Sequence, residues 1–311
     1  MRYEKRTDLA IEIKESFPKD HVEIPGVSLQ ENYDKLKKIK VTSVRIMNHI
    51  GARQMKKPIG TYTTIDFEER FIFEQKDYLD AVGKRLQKEL AAILPHKIKK
   101  DATILVTGLG NRFATPDALG PYVLEQIEVN RHLSVQYVGM ELQKGMKICG
   151  MIPGVLGQTG MESSEILKGV IENVHPDCML VIDSLATRSI KRLCTTIQLT
   201  DTGISPGAGI GNNRSEINQN TMNIPVIAIG VPTVVEAGTI VYDTLEAALQ
   251  KEGYSTKEIA LFFDRIHDKM GDSFFVTPKD IDEKIKTVGD MIANSINACL
   301  DRKSTRLNSS H

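Results

Sequence analysis

Two aspartates in this chain stand where short apolar runs end. Thr103-Ile-Leu-Val-Thr-Gly108 leads through Leu-Gly-Asn-Arg-Phe-Ala-Thr-Pro to Asp117, and Cys178-Met-Leu-Val-Ile182 leads directly to Asp183. In an open parallel sheet, ligands gather outside the carboxyl ends of the strands, where the connections leave room. Two carboxyl groups brought together at such an edge cannot both ionise comfortably, so they share a proton and their pKa values separate. One then acts as base on a water while its protonated partner donates to a scissile carbonyl or leaving amine. The turn beside them, Gly108-Leu-Gly-Asn111, offers backbone N–H groups for a developing oxyanion, and Asn111 offers a side-chain donor. This is the material of an aspartic-type hydrolase.

Each aspartate also has a plainer reading. Thr115-Pro116-Asp117 has the composition of a helix start, with a capping residue, proline at the first position and an acid in the first turn. Asp183 could likewise cap a short helix beginning at Ser184 or Leu185. The paired carboxylates could also hold a divalent cation. Against that, His21, His49, His96, His132, His175 and His267 are dispersed, and none forms His-x-His or His-Glu-x-x-His. No metal or cofactor is therefore expected.

Other chemistries lack their residues. The third glycine of a dinucleotide turn would fall at Phe113, and no Gly-Lys-Ser/Thr exists for a phosphate-cradling loop. There is no Gly-x-Ser-x-Gly elbow. His175, before Pro176, reads as an exposed turn residue, and Cys178 as core.

The elements that must position the aspartates follow from periodicity. Period-two alternation gives strands over 40–47 and 60–67. Tyr78, Leu79, Val82, Leu86, Leu90, Ile93 and Leu94 recur at three- and four-residue steps, predicting a helix over 75–94 that Pro95 stops. From Asp101 strands and helices alternate: strands over 104–107, 178–182, 193–199 and 225–230, helices over 117–129, 161–174, 236–251 and 278–300. That alternation predicts an α/β fold whose mostly parallel sheet is covered by helices on both faces, with an N-terminal β-containing elaboration.

The bulk numbers agree with a protein that is neither secreted nor embedded. The 311 residues carry 40 Lys plus Arg against 40 Asp plus Glu, so no net field draws the chain to nucleic acid or an anionic membrane. No apolar run approaches the roughly 20 residues that cross a bilayer, and the charged start lacks the apolar region of a secretory signal. Cys149, Cys178, Cys194 and Cys299 are scattered, as expected of free thiols. The last eleven residues, 301–311, break from a good amphipathic helix and read as a non-native, adapter-derived tail.

Several longer stretches carry a specific resemblance. They are Gly108-Leu-Gly-Asn111, Thr115-Pro-Asp-Ala-Leu-Gly-Pro121, Ile152-Pro-Gly-Val155, Asp183-Ser-Leu-Ala-Thr-Arg188, Asp201-Thr-Gly-Ile-Ser-Pro-Gly-Ala-Gly-Ile-Gly-Asn212 and Ile224-Pro-Val-Ile-Ala-Ile-Gly-Val-Pro-Thr233. Across about residues 5–300 the chain resembles the germination proteases of spore-forming bacteria, which degrade small acid-soluble spore proteins. The resemblance implies a fold like that of hydrogenase-maturation proteases, with the catalytic aspartates at Asp117 and Asp183 and a homotetrameric assembly. It places the enzyme in the cytoplasm of the forespore and the spore core, acting on protein and not directly on nucleic acid. Ser184 and Thr187 stand where alanine is common in the family.

The resemblance also implies a zymogen that removes its own leader, with substrates cut after an acidic residue that precedes a bulky apolar residue, Ala and a later Glu. Thr7-Asp-Leu-Ala-Ile-Glu12 copies that pattern. The expected organisation is a propeptide of residues 1–8, cut between Asp8 and Leu9, then a single protease domain over 9–300. Two other readings stay open: a maturation-type endopeptidase for another precursor, and a non-catalytic ligand-binding protein on a phosphorylase-like sheet.

Overall fold

The computed structural model describes residues 6–17, 24–69, 76–95, 98–99, 101–136, 145–211, 214–270 and 274–308. Residues 1–5 of the expected leader, His21, His96 and Asn212 lie outside these. Among the described residues nine strands build one sheet: β1 Val27–Asp34, β2 Ile39–Ile46, β3 Gly60–Asp66, β4 Thr103–Gly108, β5 Lys147–Met151, β6 Cys178–Thr187, β7 Thr196–Thr200, β8 Val226–Glu236 and β9 Phe275–Val276. Their order is β1-β2-β3-β7-β8-β6-β4-β5, with β9 pairing the end of β8.

The α/β class stands, but the parallel character belongs to one half. β5, β4, β6 and β8 run parallel to one another. The pairings β1–β2, β2–β3, β3–β7, β7–β8 and β8–β9 are antiparallel, so the sheet as a whole is mixed. The N-terminal elaboration is thus continuous with the sheet, joined through β7. Period-two alternation reveals strands, but whether neighbours run parallel depends on connections that local pattern does not encode.

The helices are α1 Ala10–Glu15, α2 His49–Met55, α3 Lys76–Ile93, α4 Leu119–Glu125, α5 Arg131–Gln136, α6 Leu156–Thr159, α7 Ser163–Val174, α8 Gln219–Met222, α9 Ala237–Lys251, α10 Thr256–Met270 and α11 Ile281–Asn308. The backbone of α11 carries the helix past residue 300 into the stretch set apart by its sequence. Strand alternation sends successive β6 side chains to opposite faces. Leu180 and Ile182 join a large core with Val82, Leu86 and Leu90 of α3, Leu119 and Val123 of α4, and Val288 and Ile292 of α11. Each such fully buried aliphatic side chain contributes about 1.5–3 kcal/mol.

Met179 and Val181 face the other way, packing with Leu105, Leu109 and Leu167 of α7. On that same face, over the antiparallel half, Leu9, Ala10 and Ile11 pack against Val44, Ile46, Met55, Tyr62 and Leu185. Two apolar patches therefore share one face of the sheet, and the functional cavity opens between them.

Candidate active site

Asp183 lies in the interior of a strand rather than at its end. β4 stops at Gly108, opposite Ile182, whereas β6 continues to Thr187 because β8 runs alongside it through a register shift between Leu185 and Ala186. Asp183 is thus the first β6 residue beyond the reach of β4. The helix-cap alternative for Asp183 does not apply, since Ser184 and Leu185 are strand residues. Its Oδ1 accepts from the Ser184 N–H at 2.9 Å.

Asp117 arrives by a turn. Thr115–Asp117 form one 3-10 turn, and α4 starts only at Leu119, with no side-chain cap. Instead of capping, the Asp117 carboxyl reaches back, and its Oδ2 accepts from the Asn111 N–H at 2.8 Å. Two glycines make this turn fit. Gly110 has φ +113°, and a Cβ there would sit 2.0 Å from the Asp117 carbonyl oxygen. Gly120 lets α4 settle on the strand ends: a Cβ there would meet the Leu109 and Ile182 carbonyl oxygens at 2.2 and 2.6 Å. Thr233 Oγ1 donates to the Pro116 carbonyl at 2.6 Å, fixing the turn to β8.

Asp117 and Asp183 line one cavity of about 290 Å³. Burial raises both carboxyl pKa values. For Asp117 the Asn111 N–H and the Arg214 charge oppose the rise. For Asp183 the Asp117 and Asp8 charges reinforce it, leaving its pKa well above the ordinary carboxylate range. The two environments are therefore unequal: burial and the Asp117 charge favour the protonated form at Asp183, while the Asn111 N–H and Arg214 favour the ionised form at Asp117.

The sequence-identified turn residues divide in role. Gly110 lines the cavity; Gly108 lies beneath it, where a Cβ would strike the Gly120 carbonyl oxygen at 2.1 Å. The Asn111 side-chain oxygen accepts from the Phe113 N–H at 3.0 Å and Gln158 Nε2 at 2.9 Å. Its backbone N–H donates to Asp117.

Asp8 lines the same cavity. Its N–H donates to the Ala186 carbonyl at 3.0 Å, and its Oδ2 accepts from the Ala186 N–H at 2.8 Å. Asp8 therefore lies against the β6 edge that β4 leaves free. Gln198 on β7 spans the following bond: its Nε2 donates to the Asp8 carbonyl at 3.3 Å, and its Oε1 accepts from the Ala10 N–H at 2.8 Å. Gln198 and Asp183 flank the same β8 residue, Gly230, in register.

Downstream, Leu9 and Ala10 are fully buried, as is Glu12. Glu12 Oε1 accepts from Thr187 Oγ1 at 2.6 Å, and Oε2 accepts from the Arg188 N–H at 2.9 Å. Arg192 Nη1 stands 3.3 Å from Glu12. Thr187 is thus an anchor for the N-terminal segment. Ser184 Oγ is buried in the cavity wall with no hydrogen-bond partner among the described residues.

Lys57, Gln198, Arg214 and Gly209 are the site residues that sequence reading missed. They come from a helix end, a strand and a long loop far apart in the chain, and only the Gly-rich run around Gly209 carries a local signal. The remaining readings hold: His175 is an exposed left-handed residue closing α7, and the cysteines form no disulfide, with Cys178, Cys194 and Cys299 buried and Cys149 half-buried. Among the described residues no group of three or more His, Cys, Asp or Glu is arranged to hold a metal ion, and no helix is long and apolar enough to cross a membrane.

The chain is similar to known proteins over nearly all its length. It is 41% identical over 312 residues to the germination protease of Clostridium tetani, covering 95% of both chains. It is 41% identical over 314 residues to that of Caldanaerobacter subterraneus, covering 95% of this chain and 94% of the relative, and 34% identical to that of Bacillus subtilis, covering 99% and 96%. Among solved structures, a NiFe hydrogenase maturation protease from Thermococcus kodakarensis matches with a TM-score of 0.35 at 14% identity, covering 68% of this chain and 99% of the other. The germination protease family model matches residues 5–268. With that extent of similarity, the chain belongs to the germination protease family of peptidases.

Proposed function

We propose that this peptidase is an aspartic endopeptidase made as a zymogen, which removes residues 1–8 and then hydrolyses small acid-soluble spore proteins during germination, in the spore core. The observation that carries the reading is the shared cavity of Asp8, Asp117 and Asp183, with Asp8 laid along the free edge of β6. The Asp8–Leu9 bond lies between that edge and Gln198, in the manner of a bound substrate.

The inequality of the two carboxyl groups supports one division of roles. Asp117, as carboxylate, takes a proton from water as the water oxygen attacks the scissile carbonyl carbon. Asp183 gives its proton to the carbonyl oxygen, so the tetrahedral intermediate forms without net charge build-up. Asp117 then hands its acquired proton to the leaving nitrogen, the C–N bond breaks, and Asp183 recovers a proton from the diol. Products leave as acid and amine, with both aspartates restored. Homotetrameric assembly is part of the proposal and rests on family membership.

The dyad needs Asp117 ionised and Asp183 protonated. Activity therefore falls as pH rises past the elevated Asp183 pKa, and again as acid protonates Asp117. The direct test is cleavage of a peptide containing Thr-Glu-Phe-Ala-Ser-Glu by the chain starting at Leu9, with and without a chelator. Cutting after the acidic residue, indifferent to chelator and reduced roughly a thousandfold or more in Asp117→Asn and Asp183→Asn, is expected. Cleavage that survives either substitution sinks the dyad.

A further inference from the structure

Asp8 does more than lie near the dyad; its carboxylate is gripped. Besides the Ala186 N–H, the backbone of Gly209 lies against it, and its N–H lowers the Asp8 pKa. A Cβ at position 209 would fall 2.2 Å from Asp8 Oδ2, so the loop's approach to the carboxylate depends on glycine. Lys57 completes the enclosure. It follows Lys56, the left-handed residue that closes α2, and it lines a cavity with Asp8, Tyr62, Gln198 and Thr202. Its own N–H is spent on the Ala52 carbonyl at 3.2 Å, and Pro58 follows it. Burial pulls the Lys57 ammonium below the ordinary lysine value, and the charge that opposes this is Asp8. In reverse, Lys57 is the largest influence opposing the burial-driven rise of Asp8.

We propose that the Ala186 and Gly209 N–H groups together with Lys57 form a carboxylate-binding subsite, which selects an acidic residue on the amino side of the bond to be cut. The proposal rests on the endopeptidase reading above and deepens it by naming its specificity-determining residues. The physical case is reciprocal. A buried ammonium with no anion in reach is destabilising, and so is a buried carboxylate with no donors. The occupied subsite offsets part of both costs, whereas an amide or apolar side chain offsets neither. The Ala186 donor, the close Gly209 backbone and one cation suit a planar anion better than a generic polar group. The leader then occupies the subsite with its own Asp8, so the precursor presents to its dyad the feature that marks a substrate.

The test follows release of residues 1–8 from the full chain by intact-mass spectrometry at mildly acidic pH. First-order rate constants are compared for the wild-type leader and the Asp8→Asn leader, each with Lys57 intact and with Lys57→Met. A partly misfolded variant loses amplitude, not rate constant, and Lys57→Gln serves if Lys57→Met does not fold. With Asp8 present, losing the lysine charge should slow release about tenfold. In the Asp8→Asn chain, the same substitution should change the rate by less than about twofold. Gly209→Ala should slow the wild-type leader more than the Asp8→Asn leader. Equal slowing of both chains by Lys57→Met, or slowing of neither, overturns the subsite while leaving the endopeptidase intact. A wild-type chain that cuts neither itself nor the Thr-Glu-Phe-Ala-Ser-Glu peptide overturns the endopeptidase reading, and the subsite with it.

Discussion

The two halves of the sheet divide the labour of the site. The parallel half, β5-β4-β6-β8, supplies Asp117 and Asp183 through strand ends and tight Gly turns. The antiparallel half, β1-β2-β3-β7, supplies Gln198, and through α2 it supplies Lys57, the groups that face Asp8. β6 belongs to both halves: up to Ile182 it is a central parallel strand, and past it an edge against which Asp8 lies. On the proposed reading, one half is built for chemistry and the other for grip. The division arises because β4 ends early while β6 and β8 run on.

Substitutions can break or sharpen that contrast. The largest effect is expected at the turn of the parallel half. Gly110→Ala places a methyl group against the Asp117 carbonyl at a φ that L-residues rarely adopt, costing about 1–3 kcal/mol in strain. Peptide cleavage should fall at least about a hundredfold as the Asp117 carboxyl is displaced, measured as kcat/KM beside a thermal melt.

Next comes the N-terminal segment. Glu12→Ala leaves the Thr187, Arg188 and Arg192 donors without their buried anion and should destabilise the chain by about 3 kcal/mol in denaturant unfolding. Gln198→Ala removes both bonds that span Leu9, and release of residues 1–8 should slow by roughly tenfold. Loss of stability with no change in release would mean that Gln198 holds the sheet and not the leader.

A pH series separates chemistry from stability within the parallel half. Folding raises the Asp183 pKa, so the folded chain binds that proton more tightly than the unfolded one. The resulting stabilisation is present below the unfolded carboxylate pKa and is lost as pH rises toward the elevated folded value. Asp183→Asn abolishes this loss. Its melting temperature should exceed that of the wild type at neutral pH, with the gap closing as the pH is lowered. The smallest effect is expected at the surface: Arg112→Ala breaks an exposed pair with Glu125 and should cost under about 1 kcal/mol.

The aspartates were legible because each follows an apolar run, and Asp8 because its neighbours repeat a recognisable pattern. The extent of β6 was not. Ser184 interrupts the apolar run after Asp183, and the strand persists only because β8 lies beside it, a long-range pairing that no local window contains. The same reason hides Lys57, Gln198 and Arg214, which meet through topology. Helix α10 is different: Ser255 Oγ and Glu258 form a reciprocal cap at its start, a signal present in the sequence and overlooked. The antiparallel half was read as separate strands, but its fusion to the parallel half through β7 is a property of the whole chain.

The central claim is that one cavity holds both the dyad and its first substrate. Intact-mass spectrometry of the full chain incubated at mildly acidic pH, beside Asp117→Asn and Asp183→Asn, tests it directly. The account predicts loss of residues 1–8 from the wild type, leaving Leu9 at the amino terminus, and no such loss from either variant. A wild-type chain that keeps Asp8, or variants that shed it at the same rate, would contradict the account.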